Sequence, residues 1–170
     1  MKRLAIVVAL AATACTGEAG RAQHLEDAAL RANFSAHRPA FERLLVMARE
    51  DRRFFRVADT WVGIHDLSNE QAAKAMPPAR WAEYRRLFRE ADLPEGMSNP
   101  HGEPGLVLFY SSAQGILGGS IKGYAHADQA LEPQVPSLDD PVQLHFSPDE
   151  PRERRFVPLG EGWYLFYEVG

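Results

Sequence analysis

Cysteine occurs once in the 170 residues, lysine is sparse beside arginine (3 against 16), and no apolar run is long. Each shortage excludes something. A single thiol cannot close an internal disulfide, the usual staple of small exported domains, so stability must come from apolar burial and backbone pairing. The apolar stretch from Leu4 to Ala14 falls well short of the roughly 20 residues needed to cross a hydrocarbon core of ~30 Å. The Arg excess fits a compositional bias better than a function. Signature motifs are missing as well. There is no G-x-x-x-x-G-K-[ST] phosphate loop, no G-x-G-x-x-G, no H-E-x-x-H and no G-x-S-x-G elbow. No internal repeat or low-complexity block interrupts the chain. No specific activity is therefore legible, and no catalytic residue, cofactor or metal is assigned.

What is present at the N-terminus is an address. Lys2 and Arg3 precede the apolar run, and Ala12-Thr13-Ala14 places small residues before Cys15. This resembles the signal peptide and lipobox of bacterial lipoproteins, with Ala12 where that pattern most often has leucine. Ala12-Thr13-Ala14 is also an A-x-A site for ordinary signal peptidase, and cleavage after Ala22 is a further alternative. The lipoprotein resemblance implies a signal peptide over 1–14 and a palmitate-type lipid on Cys15, which becomes the first residue. It also implies a lipidated terminus and tether over 15–22. Two or more acyl chains hold stably where one is marginal. The tether would span about 15 Å as a flexible chain. The expected location is the cell envelope, facing the periplasm. The outer membrane is favoured in a Gram-negative cell, because Thr16 stands where the inner-membrane retention signal has aspartate.

Removing Lys2 and Arg3 takes the formal net charge from −4 to −6. Residues 16–92 hold 13 basic and 12 acidic groups, residues 93–170 only 4 and 11. An acidic second half argues against nucleic acid, which needs a clustered basic surface. It argues equally against a polybasic grip on anionic lipid.

The remaining 23–170 is one domain by size. Its first half reads helical. Leu25, Ala28, Ala29 and Ala32 recur at three-to-four spacing, and Phe41, Leu44, Leu45 and Ala48 form the stripe of a helix that Pro39 places in its first turn. Phe54 to His65 is ambiguous between helix and short strand. Ser68 and Gln71 fit a capping box for a helix ending near Met76, and a second helix opens at Pro78. After Gly105 the period becomes two. Strands are expected over Leu106–Ser112, Ser120–His126, Val142–Phe146, Arg155–Val157 and Trp163–Val169. The expectation is an α+β domain, N-terminal helices packed on a C-terminal antiparallel sheet of about four to five strands.

The glycine-rich segment 115–126 is the most unusual local feature. Ser120 and Lys122 would share one strand face, and Ser120, Lys122, Tyr124 and His126 are candidate binding residues. Its glycines would let a backbone or a ligand approach. Ser120 with Lys122 resembles a catalytic pairing, but a hairpin with a bulge explains the segment as well. His126, Asp128 and His145 could meet as zinc ligands, and His65-Asp66 with Ser111 or Ser112 could suggest a triad, though scattered surface residues account for both. Trp163 to Tyr167 is aromatic on both alternating faces, consistent with a strand covered on both sides or with an exposed aromatic face. Together these point to a lipid-anchored binding or interaction domain contacting an envelope protein or wall component. The alternatives are a small envelope hydrolase using the 115–126 hairpin and an immunity or inhibitor-like protein.

Overall fold

A computed structural model describes residues 24–114, 119–139 and 153–169. Cys15, with the expected signal peptide and tether, lies outside them. So do His145, the expected strand Val142–Phe146, and the tip of the glycine-rich segment.

Helix α1 (Asp27–Ala36) is followed after a single residue by α2 (Arg38–Glu50), whose second position is Pro39. Proline fits there because the first-turn amides have no intrahelical acceptor to lose. Two short strands, β1 (Phe54–Val57) and β2 (Val62–Ile64), resolve the ambiguous stretch. The Ser68–Gln71 capping box opens α3 (Asn69–Ala75): Ser68 Oγ accepts from the Gln71 amide at 3.3 Å, and Gln71 Oε1 accepts from the Ser68 amide at 3.0 Å. Pro77 and Pro78 separate it from α4 (Pro78–Glu90). The strands β3 (Met97–Ser98), β4 (Val107–Gln114), β5 (Ser120–His126), β6 (Glu153–Gly160) and β7 (Trp163–Val169) complete the described elements.

The seven strands among the described residues form one antiparallel sheet in the order β2-β1-β3-β4-β5-β7-β6. The α+β class is as expected, but the strand count exceeds four to five, and the sheet draws its far edge from the first half of the chain. The extra strands β1, β2 and β3 are two to four residues long. That is too short for an alternating pattern to stand out, and only their neighbours make them strands.

The four described helices pack on one sheet face, joining Leu30, Phe41, Leu44, Tyr84 and Phe88 to Phe109, Tyr124, Trp163 and Leu165. Helix α1 buries Asp27, Leu30 and Phe34, while Leu25, Ala28, Ala29 and Ala32, whose spacing suggested its apolar side, are exposed. Rings interlock there: Phe41 meets Tyr124 at 4.6 Å and Phe34 meets Trp163 at 5.1 Å between centroids. Such pairs contribute about 0.5–1.5 kcal/mol each beyond area burial, which matters in a domain without disulfides. The reverse face carries a smaller cluster of Leu108, Tyr110, Phe156, Tyr164 and Phe166. Strand β7 is therefore covered on both sides, and its aromatic run is core.

Candidate functional site

Ser120, Lys122, Tyr124 and His126 form a row on one face of β5, the face on which the helices lie. Helix α1 runs along it. His24, just before the helix, sits at Ser120, with Nε2 2.7 Å from Ser120 Oγ. One turn on, Asp27 meets Lys122, Nζ to Oδ1 2.8 Å, an ion pair somewhat off the hydrogen-bond direction. Farther along, Tyr124 donates to the Leu30 carbonyl at 3.1 Å and accepts from Asn33 Nδ2 at 3.0 Å. Helical steps of three or four residues match strand steps of two, since both advance about 5–7 Å. The polar row is the seat of α1.

A β-bulge completes this seat. Tyr110 pairs with Gly123 and Ser112 with Lys122, leaving Ser111 as the extra residue. Strict alternation from Phe109 would put Ser111 on the helix face. The bulge puts Ser112 there instead. Ser112 Oγ then lies 2.6 Å from His24 Nδ1, so the imidazole bridges two serines. Its edge also meets Tyr167, 5.4 Å between centroids. Burial, and secondarily the charge of Lys122, hold the His24 pKa below its ordinary value, so the ring is neutral near pH 7. A neutral ring has one N–H and one lone pair, so one serine accepts from it and the other donates to it.

Lys122 is 3% exposed and has a second carboxylate, Asp139 Oδ1, at 2.6 Å. Asp139 accepts the Asp27 amide through both oxygens, at 3.0 and 2.9 Å. Asp27 Oδ2 in turn accepts from the Leu138 amide at 2.8 Å and Ser137 Oγ at 3.1 Å. Burial alone would push the Asp139 carboxyl up, but the hydrogen bonds from Lys122 and the Asp27 amide outweigh it, and the pKa falls below the ordinary carboxylate value. Residues 137–139 and the start of α1 thus cap one another over one ammonium. Tyr124 is pushed up to about 12, chiefly by burial.

Gly123 has a specific reason. A Cβ there would stand 2.1 Å from the Phe109 carbonyl oxygen. What this glycine admits is the backbone of β4, not a ligand.

His126 ends the row in different company. Its ring meets Trp163 edge-on at 5.0 Å, and Nδ1 lies 3.5 Å from Arg49, which reaches Asp128 at 2.5 Å. Burial, then Arg49, lower its pKa. His65 lies away from both serines, stacked on Phe55 at 4.6 Å and edge-on to His101 at 4.8 Å. The triad is thereby corrected: the histidine at Ser112 is His24. Among the described residues no group of His, Cys, Asp and Glu is arranged to hold a metal ion. Acidic side chains of the second half are extensively paired. Glu103 and Glu168 share Arg154, Glu153 holds Arg155, and Glu161 holds Arg38.

A cleft of about 380 Å³ at the β3–β4 loop is lined by residues that, His65 apart, the sequence does not single out. Its wall is made by Arg49 and Arg52 at the end of α2, Phe55 on β1, His65 after β2, and Asn99 to Val107. Two glycines in left-handed conformation, Gly102 and Gly105, shape the loop. The motif Asn99-Pro100-His101-Gly102-Glu103-Pro104-Gly105 is the only signal that could have drawn attention to it, as a double turn rich in Pro and Gly.

The chain matches no known protein family, no curated protein and no solved structure. No described helix is long and apolar enough to cross a membrane.

Proposed function

We propose that the protein is a lipid-anchored envelope protein, attached through Cys15, whose globular part binds another component of the envelope. The observation that carries the binding reading is the use made of the polar row. Ser120, Lys122 and Tyr124 each hold a residue at or just before α1. Groups that would be candidates for chemistry are engaged in seating the first helix after the tether. The cleft at the β3–β4 loop is the better place for a ligand. It lies at the start of β4, while His24 meets Ser112 five residues later, about 16 Å along the strand. A domain tethered next to His24 would keep the cleft clear of its own attachment point.

The test is site-specific photocrosslinking in intact cells. A photoreactive residue at His101, on the cleft rim, should give a discrete adduct. The same residue at exposed Gln134, beside β6 on the opposite edge of the sheet, should not. Equal labelling at both positions, or none at His101, would contradict the reading.

One observation favours a second reading, a small envelope hydrolase: Ser120 Oγ lies within hydrogen-bond reach of an imidazole held neutral. With Nδ1–H donated to Ser112, His24 Nε2 could accept the Ser120 proton. Ester hydrolysis by the purified protein, abolished by Ser120→Ala and by His24→Ala in variants that melt as folded proteins, would establish this reading over the first.

A further inference from the structure

We infer that the cleft at the β3–β4 loop is a binding site for a small oxyanion, a carboxylate or phosphate group on a body that fits about 380 Å³. This deepens the binding reading and rests on it. A volume in that range is typical of small-molecule sites. The polar groups around it are cationic or oriented. Arg52 is exposed and has no ion pair among the described residues. Arg49 has one carboxylate partner, Asp128, whose side chain is 57% exposed, so an incoming anion can compete for the guanidinium. Guanidinium forks suit carboxylate and phosphate oxygens because two parallel N–H groups meet two oxygens.

The carboxylate in the wall, Glu103, is engaged by a cation, Arg154, which it shares with Glu168. Glu103 gives both oxygens to Arg154, at 2.8 and 2.6 Å. Asn99 donates its amide to two backbone carbonyls, Ala48 at 3.2 Å and Phe54 at 3.0 Å, which fixes the cleft floor against the end of α2. Phe55, His65 and His101 form a continuous ring surface beside the cations. Its assembly depends on Gly63, where a Cβ would stand 2.5 Å from the Phe55 ring. Gly105 similarly leaves room for Asp128, whose Oδ2 would be 2.8 Å from a Cβ there. Two close approaches thus fix the packing beside the cleft, and of the charged side chains lining it Arg52 is the one with no ion pair among the described residues.

The experiment is titration of the purified full-length protein, followed by amide and arginine side-chain resonances. The probes are inorganic phosphate, N-acetylglycine and the uncharged N-acetylglycinamide. Saturable shifts are expected at residues 99–107 and at the Arg49 and Arg52 guanidinia with one or both anions, and none with the amide. Phosphate and carboxylate arms then distinguish the source of the oxyanion. Arg52→Ala should weaken binding about tenfold or more, as loss of a charge-assisted contact implies, and Arg52→Lys less. Asp128→Asn, which frees Arg49, should tighten binding severalfold. The inference is overturned if neither anion shifts these resonances, if the amide binds equally, or if Arg52→Ala and Asp128→Asn leave the affinity unchanged. A crosslink at His101 without anion binding would sink this inference alone; anion binding without a crosslink would sink the partner reading alone.

Discussion

Lys122 on β5 holds Asp27, the first residue of α1, across 2.8 Å, with its ammonium almost wholly removed from water. A buried ion pair is weak evidence of net stabilisation, because desolvation offsets much of the attraction. Breaking one side is another matter. Lys122→Met should leave the Asp27 and Asp139 carboxylates facing each other unneutralised. The expected loss is about 3–5 kcal/mol of unfolding free energy, read from urea denaturation. Adding Asp27→Asn should recover part of it. A single variant as stable as wild type would remove the seat of α1 from the account.

Gly123→Ala tests the close approach of β4 and β5. The added Cβ would fall 2.1 Å from backbone oxygen, which cannot move aside without breaking the ladder. Destabilisation of about 3 kcal/mol is expected, with loss of native near-UV circular dichroism if the strands separate. Gly102→Ala offers a contrast: no atom lies within 4 Å, and the cost is only that of a left-handed backbone, about 1 kcal/mol.

Acidification should loosen the N-terminal helix. His24 and His126 both have folded pKa values below the ordinary histidine value, chiefly from burial. The unfolded chain therefore binds protons first as pH falls. Their contribution is complete above the unfolded pKa, near 6.5, and is lost as pH drops from there through the folded values. The melting temperature should decline from pH 7 to 5, and His24→Gln should flatten that decline. Asp139 adds a second loss at lower pH, since its depressed pKa gives stability that vanishes as the carboxylate is protonated. An identical pH slope in wild type and His24→Gln would contradict the buried, neutral assignment.

Much of the fold was legible where a local signal agreed with the tertiary outcome. Pro39, the Ser68–Gln71 box and Pro78 marked helix starts, and runs rich in strand formers marked β4, β5 and β7. The stretch holding β1 and β2 stayed ambiguous between helix and strand and β3 gave no signal, because two to four residues carry no period of their own. The shared face of Ser120, Lys122, Tyr124 and His126 follows from strand geometry, but its occupant does not. His24 and Asp27 are some 95 residues away in sequence, and Ser112 joins them only through a bulge at Ser111 that no local pattern announces. The cleft was invisible for a related reason. Arg49, Phe55, His65 and His101 belong to four different segments, and only the sheet order brings them together.

Where the domain is held is tested most directly by metabolic labelling with palmitate. Wild type should incorporate the label and fractionate with membranes, and Cys15→Ala should do neither. An unlabelled wild type, free in the periplasm, would contradict the anchor, and with it the claim that this domain works at a fixed short distance from the membrane.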